Sequence, residues 1–230
     1  MGIDFMKNVL IYGIGKMAEF IYYSFHNDSS YHVVAFCADD QYLPSEKTAL
    51  FGCPVLSFDE VLKCFPPGDC LLHIAIGRNS AREIVFHKAK AAGYSFANYI
   101  CSKANTWPDL IVGENVFIDQ ASIVQPFVSI GNNCMLIGAR IGHHSKIEDH
   151  VLLSGTSLAG NVTIGRNSFL GLNSSIKEGI VIGSHNTVSA GVFIMKNTPD
   201  HLLTYISRSA VLSTKSNRLV VFPDNTNTRE

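Results

Sequence analysis

The stretch Leu158-Ala159-Gly160-Asn161-Val162-Thr163-Ile164-Gly165-Arg166-Asn167-Ser168-Phe169-Leu170-Gly171-Leu172-Asn173-Ser174-Ser175-Ile176 decides the fold. An aliphatic residue returns there at every sixth place, a period that fits neither a helix nor a simple strand. Followed outward, the register runs Val112, Ile118, Val124, Ile130, Leu136, then Ile141, Ile147, Leu153, then from Leu158 on to Ile182, Val188 and Ile194. Two steps, Leu136 to Ile141 and Leu153 to Leu158, are five residues instead of six. Glycine often follows the aliphatic (Gly113, Gly131, Gly142, Gly165, Gly171, Gly183), and a small or β-branched residue commonly fills the fifth place. This periodicity predicts a parallel β-helix, in which each hexapeptide supplies one short strand and a turn, and stacked repeats share one core. Three hexapeptides close a triangular coil of about 18 residues, giving about five coils, with glycine or asparagine at the corners. The open ends need covers, and His201 to Leu212 is read as one of them.

The other half of the chain has a different grammar. Asn8 to Tyr12 is an apolar run broken by Gly13-Ile14-Gly15, Met17 to Phe25 has helical spacing, and a second strand follows at His32 to Cys37. Val55-Leu56 reads as a short strand, Phe58 to Cys64 as a helix opened by Ser57 or Asp59, Leu71 to Ile76 as a strongly apolar strand, and Ala81 to Ala92 as a helix capped by Gly93. Strands alternating with helices predict a small α/β domain with a parallel sheet. The expected organisation is therefore α/β plus all-β: residues 1–103 a Rossmann-like domain, 104–212 a β-helix, and 213–230 a polar tail, with the junction at Ser102 to Pro108.

Composition narrows the function classes. With 16% charged residues, a formal net charge of -1 and no basic run interleaved with aromatics, nothing points to nucleic acid or an anionic membrane. The six cysteines form no CxxC pair and no dense framework, which fits reduced thiols in the cytoplasm. No signal peptide and no apolar stretch long enough to span a membrane is expected.

A β-helix core is featureless, so chemistry belongs on its corners. His143 and His144 stand together in Ile141-Gly142-His143-His144-Ser145, between the two shortened steps, and the shortened steps mark where the chemistry is expected. A neutral imidazole accepts a proton from an attacking amine or hydroxyl and returns it later, which acyl transfer from a thioester requires. The competing use of histidine is zinc, with His143, His144, His150 and His185 in the solenoid. Residues stack on one corner only when about one coil apart, and none of these pairs has that separation, so no metal is expected within one chain. A metal shared across subunits is the remaining arrangement. In the first domain, Gly13-Ile14-Gly15-Lys16-Met17-Ala18 joins a strand to a helix, an arrangement that brings main-chain N–H groups to a phosphate. Asp39-Asp40 follows the second strand, where a carboxylate can hold ribose or sugar hydroxyls, and Gly77-Arg78-Asn79 ends the strongest strand.

Taken together, these segments resemble the NeuD/PglD-like bacterial sugar acyltransferases, the sialic-acid O-acetyltransferases and UDP-4-amino-sugar N-acetyltransferases. The likeness covers roughly Lys7 to Ala210, through Gly13 to Ala18, Asp39-Asp40, Ile76-Gly77-Arg78-Asn79, Ala159 to Gly165, Phe169 to Ser175 and Met195-Lys196-Asn197. The resemblance implies a left-handed β-helix, a homotrimer, acetyl-CoA or another acyl-CoA as co-substrate with no metal, and a UDP-, dTDP- or GDP-linked amino sugar as acceptor. It puts the catalytic base on His143, with His144 where the family usually has an acidic residue. Acyl-CoA contacts fall on Gly160, Leu172, Ala190 and Lys196, and sugar-nucleotide contacts on Gly13, Gly15, Lys16, Met17, Asp39, Asp40, Gly77, Arg78 and Asn79. Met17 replaces a histidine common in the family, and Leu152 replaces a coenzyme-binding histidine nine residues past the base. The implied activity is N-acylation of a nucleotide-linked amino sugar in glycan biosynthesis. The alternatives are O-acetylation of a sialic-acid-like sugar, a non-catalytic nucleotide-sugar-binding scaffold, and a zinc hydrolyase on the same solenoid.

Overall fold

The structure, a computed structural model, describes residues 7–46 and 48–206. Its first domain is a five-stranded sheet. Strands β1 (Lys7–Tyr12), β2 (Tyr31–Ala38), β3 (Ala49–Leu50), β4 (Cys53–Ser57) and β5 (Leu71–Ile74) lie in the order β3-β4-β2-β1-β5, all parallel except β3. Helices α1 (Lys16–Asn27), α2 (Phe58–Cys64) and α3 (Asn79–Ala91) follow β1, β4 and β5. The start of α2 is settled by a capping box: Ser57 Oγ accepts from the Glu60 N–H while Glu60 accepts from the Ser57 N–H. The hairpin β3–β4, absent from the sequence reading, turns through Phe51 and Gly52, both at positive φ. Because β2 lies on one side of β1 and β5 on the other, the loops after β1 and β5 diverge and open a crevice at the carboxyl edge. Among the described residues no helix is long and apolar enough to cross a membrane.

The solenoid has three faces of parallel strands. Face one runs from Tyr99–Ile100 through Phe117–Ile118, Met135–Ile137, Leu152–Ser154, Phe169–Leu170 and Thr187–Val188 to Leu203–Thr204. Face two runs from Ile123–Val124 to Phe193–Ile194, and face three from Ile111–Val112 to Val181–Ile182. The periodic aliphatics all point inward and form the core, Ile118, Leu136, Leu153 and Leu170 on face one being 0% exposed. Glycine and asparagine divide the corner work differently from the sequence expectation. Asn115, Asn133, Asn161, Asn167 and Asn173 take the left-handed backbone. Glycines such as Gly165 are required by coil spacing instead: a Cβ there would meet the Gly183 carbonyl carbon at 2.5 Å.

Solenoid strands normally turn polar side chains outward, but face one turns out Phe117, Met135 and Leu152, all buried, because the first domain lies on them. The Phe117 ring packs 5.0 Å from Tyr99 and 5.5 Å from Phe20 of α1. The guanidinium of Arg82 (α3), wholly buried, locks the two domains together. Its Nε donates to the Asn133 carbonyl at 3.0 Å, and its terminal nitrogens donate to the carbonyls of Ile76, Gly77 and His150 and to Asn79 Oδ1. Burial without a carboxylate lowers its pKa to about 10, so it stays charged at neutral pH. The cover read at His201 to Leu212 and the tail from residue 213 on fall mostly outside the described residues, the last strand being Leu203–Thr204.

Candidate active site

The crevice of the first domain is a cleft of about 560 Å3 that gathers Gly13, Gly15, Lys16, Met17, Asp39 and Gly77 from the loops after β1, β2 and β5. Gly13 has φ +138, and a Cβ on it would meet the Ala75 carbonyl oxygen at 2.8 Å, so the turn demands glycine. Gly15 faces open space and caps α1 without a side-chain hydrogen bond, leaving first-turn N–H groups free for an anion. The Asp39 carboxylate is already engaged: Tyr12 donates its hydroxyl to Oδ1 at 2.5 Å, and Lys88 (α3) pairs with the same oxygen. Burial opposes ionisation of Asp39, but the Lys88 and Tyr12 hydrogen bonds outweigh it and hold the carboxyl below its usual range.

The remaining first-domain candidates lie elsewhere. Asp40 opens an exposed 3-10 turn, Asp40–Tyr42, whose Gln41 and Tyr42 line the cleft while Asp40 does not. Arg78 and Asn79 line a second cleft of about 420 Å3, between α3 and the solenoid, with Glu83, Asn167 and His185. Asn79 ties the domains, donating to the carbonyls of Asn167 at 3.1 Å and Ser168 at 2.9 Å.

Beside that cleft, α3 brings Glu83 and His87 to His150 of the solenoid, with potential ligand atoms within 4.8 Å of one another. Spacing within the solenoid alone missed this group because two of its members belong to the first domain. A chain of hydrogen bonds settles its chemistry. The Ile74 N–H donates to Asn115 Oδ1 at 2.8 Å, Asn115 Nδ2 donates to Asn133 Oδ1 at 2.6 Å, and Asn133 Nδ2 lies 2.8 Å from His150 Nδ1. A main-chain N–H can only donate, so each amide orientation follows in turn and His150 Nδ1 must accept. The His150 proton therefore sits on Nε2, 3.7 Å from Glu83 Oε1. That nitrogen has no lone pair for a metal, and Glu83 is already held by Arg166 and Asn167. Burial lowers the pKa of His150 to about 4.

The histidine pair stands on the edge between faces two and three. His143 Nδ1 and His144 Nδ1 are 3.1 Å apart, and both side chains are exposed. Gln125, one coil earlier, accepts from the His143 N–H at 2.9 Å, and the Asn161 N–H, one coil later, donates to the His143 carbonyl at 2.7 Å. The His143 ring lies flat on Gly160, where a Cβ would stand 2.5 Å from Cε1 and 2.7 Å from Nε2. Lys196 occupies the same rail, two coils beyond Gly160.

Both shortened steps fall on a different edge from His143 and His144, between faces one and two. They are tight turns through Gly138 (φ +64) and Gly155 (φ +58), two-residue corners in place of the usual four. Leu172, 56% exposed, folds back against Gly155, and Ala190 continues that edge. The four residues read as acyl-CoA contacts thus divide between two edges of one protomer. Leu152 is buried beneath the first domain, away from both.

Comparison with known proteins agrees with this architecture. The PglD N-terminal domain family matches residues 8–89, and the hexapeptide repeat of succinyl-transferase matches residues 161–196. PerB from Caulobacter crescentus, solved with CoA and GDP-perosamine, superposes with a TM-score of 0.77 at 28% identity, over 85% of this chain and 92% of that one. A histidine-to-asparagine variant of perosamine N-acetyltransferase from the same organism, also with CoA and GDP-perosamine, gives 0.76 at 27% identity, over 85% and 92% of the two chains. The acetyltransferase domain of PglB from Neisseria gonorrhoeae shares the fold, with a TM-score of 0.75 at 21% identity over 86% of this chain and 95% of that one. Curated relatives match less than half of the chain. The 2,3,4,5-tetrahydropyridine-2,6-dicarboxylate N-succinyltransferase of Dechloromonas aromatica is 31% identical over 44% of this chain, which spans only 36% of that protein. Domain order and repeat define a hexapeptide-repeat protein with a PglD-type N-terminal domain. Over most of its length the chain is similar to sugar N-acetyltransferases that join the same two parts.

Proposed function

We propose that the protein transfers an acyl group, acetyl in the simplest case, from acyl-CoA to the amine of a nucleotide-linked sugar, with His143 as general base. The observation that carries this is the placement of His143: exposed, flat on Gly160, anchored by Gln125 and Asn161, with Nδ1 against a second imidazole. If Nδ1 donates to His144, Nε2 is left with its lone pair toward solvent, as a base requires. The sugar nucleotide occupies the first-domain cleft, its phosphates near the start of α1, and the acyl-CoA runs along the solenoid past Gly160, Leu172, Ala190 and Lys196. The amine attacks the thioester carbonyl, His143 Nε2 takes the amine proton, and collapse of the tetrahedral oxyanion expels the CoA thiolate, which is then protonated. Holding both substrates in register supplies most of the acceleration. In glycan biosynthesis such a reaction belongs in the cytoplasm, where acyl-CoA is present, in keeping with six unpaired cysteines.

The first domain covers face one, and in a triangular prism the edge between faces two and three is the one opposite. The cleft and His143 of one protomer therefore lie on opposite sides of the solenoid. This supports a homotrimer in which the cleft of one protomer serves the histidine of the next. Complementation tests it. His143→Asn removes the base, and Gly15→Leu fills the cleft at a position with open space and ordinary backbone. Each variant alone is inactive with UDP-, dTDP- and GDP-linked amino sugars and acetyl-CoA, and unfolding and reassembling them together restores activity. No product from the wild type with any such pair refutes the transferase, and no restoration refutes the shared site.

A further inference from the structure

Phe127 is out of place by every structural criterion. In the solenoid's left-handed corner positions the chain uses glycine, asparagine or histidine, but here it places a phenylalanine, at φ 64. Aromatic side chains disfavour that conformation, and a residue kept there against its preference points to a use. Core packing is not the use, since Phe127 is 70% exposed. Its ring instead lies 4.6 Å from the ring of His144, one coil later on the same rail, and the His144 N–H donates to the carbonyl of Pro126 just before it. His144 is left-handed too, at φ 58, so its ring is held between Phe127 and His143, perpendicular to the latter at 87°.

Accepting His143 as the base, we propose that Phe127 is a positioning residue that clamps His144 so that His144 Nδ1 accepts the Nδ1 proton of His143. Only one of the two facing Nδ1 atoms can carry hydrogen. When His143 donates, its Nε2 is the free base; when His144 donates, His143 carries its proton on Nε2 and cannot accept one. The sequence has an imidazole where the family usually has an acid, and an imidazole, unlike a carboxylate, can face its neighbour in either role. The aromatic clamp keeps Nδ1 of His144 turned toward Nδ1 of His143, and without it the His144 ring turns away and His143 loses the acceptor that holds its proton on Nδ1.

Phe127→Asn separates this role from a structural one. Asparagine is the residue this chain itself favours at such corners, so the variant melts no lower than the wild type while its kcat falls roughly tenfold, or about 1.4 kcal/mol, within the worth of one lost hydrogen bond, with both KM values little changed. Phe127→Tyr keeps the ring and retains kcat within about twofold. Long-range proton–nitrogen spectra, with His143→Asn to assign the signal, show His143 protonated on Nδ1 in the wild type and as a mixture of tautomers in Phe127→Asn. Wild-type kcat and an unchanged tautomer in Phe127→Asn overturn the clamp, as does loss of activity through loss of native assembly mass. The tautomer is read without turnover, so absence of transferase activity in the wild type counts against the function and leaves the clamp standing on the spectra.

Discussion

Replacing Gly160 with alanine adds one methyl group and aims it at His143, the proposed base. The new Cβ would stand 2.5 Å from His143 Cε1, 2.7 Å from Nε2 and 3.0 Å from Nδ1, whereas ordinary contact begins near 3.4 Å. The ring must retreat by the difference, about 1 Å, and His143 is the part free to give because its side chain is exposed and the rest of the corner is main chain. A displacement of about 1 Å in a catalytic group costs on the order of 100-fold in rate, or about 2.7 kcal/mol of transition-state stabilisation. Gly160 does not sit at positive φ, so alanine is compatible with its backbone and the fold is held or slightly stabilised, by up to about 1 kcal/mol from the less free unfolded chain. The expected outcome is therefore a variant with undiminished melting temperature, near-normal KM for acyl-CoA and kcat down about 100-fold, measured by thiol release. Unchanged kcat would mean that the ring position over Gly160 does not matter to catalysis. A loss confined to the KM for acyl-CoA would mean that Gly160 serves the coenzyme rather than the histidine.

Two further perturbations test how the domains are held. Arg82→Leu strands the carbonyls of Ile76, Gly77, Asn133 and His150, so it is expected to lower stability to urea by roughly 2–4 kcal/mol, and a loss under about 1 kcal/mol would refute the lock. Acid acts through His73 and His150, both held by burial to a pKa of about 4 against 6.5 for the free side chain. The unfolded chain takes up these two protons first, so stability falls as pH drops from about 6.5 to about 4, by at most about 1.4 kcal/mol per pH unit for each histidine, and below that the histidine contribution levels off while the loss passes to carboxyls such as Asp39. His150→Asn places an amide in the same left-handed corner and is expected to halve that slope in urea titrations across the window; an unchanged slope would place the linkage elsewhere.

What the sequence disclosed and what it withheld divide along a physical line. The inward aliphatics were legible because every coil must bury the same position, so the core writes a period of six into the chain. The strands and helices of the first domain were legible for a related reason, since signals such as Ser57 with Glu60 act through neighbours a few residues away. Nothing local announces Arg82, which reads as one more exposed helical cation until the solenoid supplies three carbonyls from positions 51 to 69 residues away and the end of β5 supplies two more. The same holds for Glu83 and His87 beside His150, and for Phe117, Met135 and Leu152, whose apolar character on an outward face was the available sign that something covers it.

The shortened steps show where counting misleads. In sequence they flank His143 and His144, but a coil has three corners, and adjacency along the chain says little about which corner a residue occupies. Counting in coils does better: Gln125, His143 and Gly160 are 18 and 17 residues apart and form one rail. The tight turns at Gly138 and Gly155, likewise 17 apart, form another. His143 and the tight turns therefore belong to different edges of one protomer, and in the proposed trimer it is a neighbouring protomer that brings such edges together. The two five-residue steps shape an edge that the proposed trimer turns toward its partner, while the histidine pair stands on a corner whose six-residue spacing is intact.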